Sequence, residues 1–345
     1  VVRSPMVGVQ RTSNRSKGAG QLMIMSLLIA IAAGSASALM FASIISGALI
    51  SLVLFYLAPL PLMVAAMGWG PTSAAIGGLV AGLGLGTIFG IPYGAAFILT
   101  VALPAWWLGH LALLGRPLAS DATNATPGSP PPIEWYPLGR ILIWVACFAA
   151  LTTAAALLTL GSDAPTITEA LRRGLLRIIN APGTSHERVT EVVDAFVAIA
   201  PAAAATVAMM TLTLNLWLAA KVTATSGRLR RPWPDMKATL LPPMTLAATT
   251  LALALCFSGG LPGMLAQIIT SSLMMAYALV GFAVLHTVTL TLRGRALWLS
   301  CIYAVVLVFL WPIVAMIGIG VADTVFGFRQ RYLQRHTPPP LAPTA

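Results

Sequence analysis

The sequence predicts an all-α, polytopic transmembrane helical bundle. Three observations carry that reading: 58% of the 345 residues are hydrophobic, only 8% are charged, and no Asp, Glu, Lys or Arg occurs from Gly18 to Gly115. Soluble domains are about a quarter charged, and a water-facing surface cannot be covered with so few charges. A bilayer span needs about 20 apolar residues, so the uncharged run alone has room for about four helices.

Apolar spans follow at 22–43, 44–67, 71–91, 93–114, 139–160, 192–220, 239–258, 262–291 and 296–321. A basic tail, 1–20, precedes the helical domain, 21–325. The first span contains Ala36, Ser37 and Ala38, a signal-like cleavage pattern, but apolar sequence runs on well past it. Retention as a first transmembrane helix is therefore expected. Pro, Ser, Gly and Asp mark 115–138 as an exposed loop.

Residues 164–181 predict an amphipathic helix lying at the membrane surface. Thr166 and Glu169 have capping-box spacing behind Pro165. Ile167, Leu171, Leu175 and Ile178 share one face, and Arg172, Arg173 and Arg177 the other. An ordinary connector packed on the bundle has the same pattern. From 326 to 345 the chain is basic and then Pro-rich.

The net charge of +11 is held in short clusters between spans. No aromatic-interleaved basic face is visible in the sequence, so the partner is the lipid bilayer and not nucleic acid. The basic tail and the Lys221–Lys237 cluster belong in the cytoplasm, and the six spans between them return the chain to one side. Arg293 and Arg295 agree after two more spans. A ninth crossing would carry Arg329, Arg331 and Arg335 outside, against the rule, so the expected count is eight or nine. The setting this implies is a bacterial inner membrane with the N-terminus in the cytoplasm.

No motif in the chain supports catalysis. A P-loop needs a lysine after glycine, and neither Lys17, Lys221 nor Lys237 follows one. After Gly82 and Gly84, Gly86 comes one residue too early for a dinucleotide fingerprint, and no acid follows until Asp121. His186 precedes Glu187, but Thr190 stands where a second histidine belongs. Cys147, Cys256 and Cys301 read as small buried hydrophobes. No enzyme, metal site or cofactor is expected.

Polar groups within apolar spans are the remaining candidates. Pro59 and Pro61 remove two donors from one helix, so the freed carbonyls need partners in protein or in a water-lined cavity. Tyr56, Pro59, Pro61, Asn215, Gln267, Tyr277 and Tyr303 are candidate ligand contacts. Each could equally join neighbouring helices. Ala74, Gly78, Gly82, Gly86 and Gly90 recur every four residues as a helix-packing stripe. Four residues turn a helix by about 400°, so this stripe winds and two partners could share it.

Two stretches carry a resemblance. The first, "FYLAPLPLMVAAMGWGPTSAAIGGLVAG", couples the Pro-x-Pro helix to the glycine-rich span. The second closes the apolar region with Gly318, Gly320, Asp323, Phe328 and Arg329 in a Gly-x-Gly-x-x-Asp-x-x-x-x-Phe-Arg pattern. Together they resemble the YybS-like family of uncharacterised bacterial multi-pass membrane proteins, which is similar to the substrate-binding S components of energy-coupling-factor transporters. The resemblance implies a small-molecule-binding protein that docks on a separate coupling-factor transmembrane subunit with ATPases. S components dock through a small-residue stripe on the first helix, and Ala32 with Ala36 or Gly34 with Ala38 has that spacing.

Overall fold

The computed structural model describes residues 7–118, 131–179 and 186–336. The loop tip 119–130, the connector from 180, the Pro-rich end and the first six residues lie outside them, with the corresponding parts of the segments predicted above. The helices are α1 (Val7–Ala42), α2 (Leu49–Leu57), α3 (Pro59–Trp69), α4 (Pro71–Phe89), α5 (Ile91–Phe97), α6 (Leu103–Leu113) and α7 (Leu138–Leu158). They continue with α8 (Ala164–Ile179), α9 (His186–Thr225), α10 (Met244–Leu255), α11 (Gly260–Val288), α12 (Arg295–Phe309), α13 (Pro312–Phe326) and α14 (Phe328–His336).

Seven stretches among the described residues are long and apolar enough to cross a membrane: Met23–Ser46, Leu49–Trp69, Pro71–Phe89, Ile91–Leu113, Leu138–Leu158, Val189–Thr225 and Gly260–Val288. Large apolar side chains such as Leu39, Leu49, Leu83 and Ile88 stand on the outside, as a hydrocarbon solvent requires and water would not tolerate. This is a multi-pass integral membrane protein. The chain forms two compact units, one of Val1–Tyr136 with Thr211–Trp233, the other of Pro137–Met210 with Pro234–Ala345.

In the first unit, α1 turns Ala30, Gly34, Ser37 and Phe41 inward at helical spacing. A Cβ at Gly34 would strike the Gly77 carbonyl, and one at Gly77 the Ala30 carbonyl, so α1 and α4 meet backbone to backbone. The predicted stripe is divided between neighbours. Ala74 is fully buried, a Cβ on Gly78 would stand 2.7 Å from that of Ala102, one on Gly82 would strike Ile98, and Gly86 faces Gly94. Gly90 is not a rung. It has φ of 98° and forms the turn from α4 into α5, where only glycine is at ease. The expected all-α fold also gains two short strands, β1 (Gly115–Pro117) and β2 (Ile133–Trp135), which close the base of the exposed loop. Arg116 and Glu134 pair across them at 2.6 Å.

In the second unit, α11 is the central helix, buried along most of its length between α7, α10 and α13. Helix α8 starts at Asp163, whose Oδ1 accepts from the Thr166 N–H at 2.8 Å. Thr166 is therefore inside the first turn and is not the cap that the capping-box spacing suggested. Those hydrogen bonds from Thr166 hold the Asp163 carboxyl below the usual carboxylate range. Ile167 is fully buried against Leu157, Ala205 and Ile268, and Leu171 packs beside it. The apolar face of α8 thus rests on the bundle, and Arg172 on its polar face pairs with Asp194 at 2.5 Å.

The predicted ninth span, 296–321, is not continuous. It breaks at Leu310, which has φ of 57° and ψ of −39°, with the Trp311 N–H donating to the Phe309 carbonyl at 2.6 Å. This is a γ-turn of the positive-φ kind, rare outside glycine, and Pro312 then starts α13. Arg295 and Tyr303 both reach His286, and Tyr303 stacks on Phe282, so α12 runs back along α11 from its C-terminal end. Arg329, just past α13, holds the carbonyls of Lys237 and Thr239, and Lys237 lies within electrostatic reach of His286. Helix α13 therefore returns to the end from which α12 left. The two form a hairpin, each arm 15 residues long, or about 22 Å against a hydrocarbon core of about 30 Å.

Candidate functional site

Helix α10 turns Thr245, Thr249 and Ala252 inward, at spacings of four and three. Opposite them, α11 presents Thr270 and Tyr277, one helical face seven residues apart. Cys256 Sγ and Thr270 Oγ1 share a 3.5 Å contact, and Thr249 lies beside Tyr277, which sets the two helices antiparallel. The seam is lined by hydroxyls and holds no charge. Thr249 donates to the Thr245 carbonyl at 2.8 Å. Among the described residues the buried Thr245 hydroxyl has no hydrogen-bond partner, and the buried Tyr277 hydroxyl has only an approach of Thr249 too loose to be a well-formed hydrogen bond. Ser272, one turn from Tyr277 on another face of α11, is buried in the same condition as Thr245. The other face of α10, Pro243, Leu246, Ala247, Thr250, Leu251 and Ala254, lines a shallow apolar groove of about 670 Å³. One short helix therefore separates the hydroxyl seam from that groove.

The predicted candidates fall into separate places. Asn215 is fully buried, and its Nδ2 donates to the carbonyls of Tyr56 and Thr211, each at 2.8 Å. Ser37 donates to the Ala58 carbonyl at 2.5 Å. Tyr56, Pro59 and Asn215 are thus brought together by the helix break between α2 and α3, where neighbouring helices satisfy its carbonyls. That is the chemistry of a supported kink. The Tyr56 ring is partly exposed, and Pro61 lies in the first turn of α3. Gln267 is half-buried on α11.

Tyr303 belongs to a different cluster. Arg295 donates to His286 Nδ1 at 3.3 Å, which leaves the ring proton on Nε2 to be donated to the Tyr303 hydroxyl at 2.8 Å. Asp323 and Arg329 come together as a buried pair at 2.7 Å. Gly327, with φ of 63°, reverses the chain between α13 and α14 and donates to the Asp323 carbonyl, so that Arg329 folds back onto it. Sequence reasoning missed Thr245 and Thr249. Their four-residue spacing on one face was the available signal. Among the described residues no group of three or more His, Cys, Asp and Glu side chains could hold a metal ion. No family model, curated protein or solved structure matches this chain.

Proposed function

We propose that this protein is a transport-related, small-molecule-binding component of a bacterial cytoplasmic membrane that works with partner subunits. The seam between α10 and α11 carries the reading. A buried hydroxyl left unpaired costs about 1–3 kcal/mol, and an uncharged polar molecule bridging Thr245 and Tyr277 would offset that. Without a P-loop the chain has no ATPase of its own, and its resemblance to S-component-like proteins names the partner class as a coupling-factor transmembrane subunit with ATPases. The competing reading is a scaffold that holds other proteins on its glycine faces. It has less support, because Gly77, Gly78 and Gly82 already meet Ala30, Ala102 and Ile98 of the same chain.

Tyr277→Phe and Thr245→Val test the seam. If the hydroxyls await a ligand, both variants should be at least as stable as the parent in empty detergent-solubilised protein and should lose protection by the small molecule that co-purifies from native membrane. A loss of about 0.6 kcal/mol, the size of an ordinary interhelical hydrogen bond, with ligand protection intact would assign them to helix packing. Isolation without either a bound small molecule or ATPase partners would overturn the reading.

The topology we propose with it has eight crossings, the seven long helices and α10, followed by a re-entrant hairpin. Extended Thr239 and the non-helical residues 240–242 before α10, with the turn Cys256–Ser258 after it, lengthen the α10 crossing. The N-terminus, the basic loop after α9, Arg293 with Arg295 and the basic C-terminus then all face the cytoplasm, in keeping with the positive-inside rule. The arginines of α8 would face outward, where Glu169 and Asp194 partly offset them. In a background with Cys147, Cys256 and Cys301 replaced by Ala, Tyr332→Cys should label from the cytoplasmic side only, and labelling from outside would exclude the hairpin.

A further inference from the structure

One end of the first unit carries cations on tryptophan faces. The last turn of α9 closes at Gly227, with φ of 65°, and the Arg228 and Leu229 N–H groups both donate to the Thr223 carbonyl. That turn lays the Arg228 guanidinium over Trp69 at 4.5 Å. Lys221 lies 5.3 Å over Trp233, and Arg231 lies 6.0 Å over Trp135 while donating to the Ala112 carbonyl at 3.4 Å. Arg230 between them is exposed and has no hydrogen bond or ion pair among the described residues.

Anions are scarce here. Among the described residues of this unit Glu134 is the one acidic side chain, and it is paired with Arg116. Asp235, just beyond in sequence, is turned to the Lys237 N–H. Among the described residues, Lys221, Arg228, Arg230 and Arg231 therefore have no carboxylate partner. Burial pushes the Arg231 guanidinium below its ordinary pKa, and an arriving anion would offset that desolvation.

We propose that this tryptophan-backed arginine cluster is a binding site for the phosphate headgroup of an anionic phospholipid. The depth fits. The apolar stretches Leu49–Trp69 and Val189–Thr225 both end here, so the cations sit where hydrocarbon gives way to headgroups, the level that tryptophan favours. The chemistry also fits. A guanidinium stacked by its face on an indole keeps its N–H edge free to fork a phosphate. Four cations, two of them guanidiniums held over tryptophan rings, suit a diester phosphate.

The test uses the full-length protein in nanodiscs of phosphatidylcholine with a minor fraction of phosphatidylglycerol, with retained lipid counted by native mass spectrometry after transfer to neutral detergent. The wild type should retain phosphatidylglycerol several hundredfold over phosphatidylcholine, taking about fivefold for each of the four surface cations. Arg230→Ala, at an exposed position, should lower retention about fivefold, and a combined Arg228→Ala, Arg230→Ala, Arg231→Ala variant about a hundredfold. Arg228→Lys with Arg231→Lys keeps the charge but loses the fork, and should fall between. Equal retention of both lipids overturns the proposal. So do lysine variants that match the wild type, which would mean diffuse attraction, and displacement by equimolar inorganic phosphate or by RNA.

Discussion

Arg329→Ala is expected to destabilise the second unit by about 3–5 kcal/mol, the cost of leaving a buried charge without its partner. Asp323 is 1% exposed and Arg329 2%. Arg329 donates from Nε to Asp323 Oδ2 at 2.7 Å and from its backbone N–H to Oδ1 at 2.9 Å, while Nη1 and Nη2 donate to the Lys237 and Thr239 carbonyls at 2.7 Å each. One guanidinium therefore ties the end of α13 to the segment that leads into α10. Asp323→Ala should cost a similar amount. Arg329→Lys should recover little of the wild-type stability, because a point charge cannot serve a carboxylate and two carbonyls in one plane. Replacing both residues with apolar ones, Asp323→Leu with Arg329→Met, should fall short of wild type, although many buried ion pairs can be exchanged in this way without loss. The difference is the two backbone carbonyls that would lose their donor. Thermal unfolding in detergent, followed by size-exclusion monodispersity, reads the series. An Arg329→Ala protein as stable as the parent would show that the clamp contributes nothing.

The membrane class was legible because charge-free length is a direct consequence of hydrocarbon as a solvent, and the run from Gly18 to Gly115 leaves no other reading. What failed was direction. Hydropathy over 296–321 is as high in a hairpin as in a span, and the turn at Leu310 to Pro312 contains no charged residue to mark it. The basic cluster at Arg329 was the one hint, through its conflict with a ninth crossing. The strands at Gly115 and Ile133 are three residues each and have no period to detect. Asp323 and Arg329 stood out only as part of a family-like pattern, yet a carboxylate in an apolar stretch with Gly327 and then an arginine behind it already describes a chain that doubles back. The four-residue spacing of Thr245 and Thr249 was a weak signal, because a threonine in a membrane helix usually bonds to its own backbone, and what makes these two notable is what faces them. The arginine and tryptophan pairing was hidden because Trp69, Trp135 and Trp233 are far from their cations along the chain or in no helical register with them.

Gly77→Leu is expected to separate α1 from α4, and Gly84→Leu in the same helix to leave them together. The four-residue stripe drew attention to Gly78 and Gly82, but the tightest approach between these two helices is at Gly77, one position off the ladder. A winding stripe explains this. Helix α4 contacts α1 on one side and α5 on another, so the small residues needed for α1 do not share the rungs used for α5. A Cβ at Gly77 meets the Ala30 carbonyl and has the Leu62 side chain at 3.3 Å. Backbone cannot swing aside as a side chain can, so the helices must part by more than the width of a methyl group and lose the contact that only small residues allow. Overpacking of a core costs typically 1–3 kcal/mol, occasionally more, and here the rigid obstacle puts the expected loss at the upper end. Gly84 has nothing within 4 Å of its would-be Cβ, and exchanging a mid-helix glycine for leucine gains up to about 1 kcal/mol of helix propensity. A cysteine cross-link between Ala30→Cys and Ser73→Cys, one turn from the contact, should form in the parent and in Gly84→Leu and fail in Gly77→Leu. Cross-linking at the parent rate in Gly77→Leu would mean that α1 and α4 do not meet through their backbones.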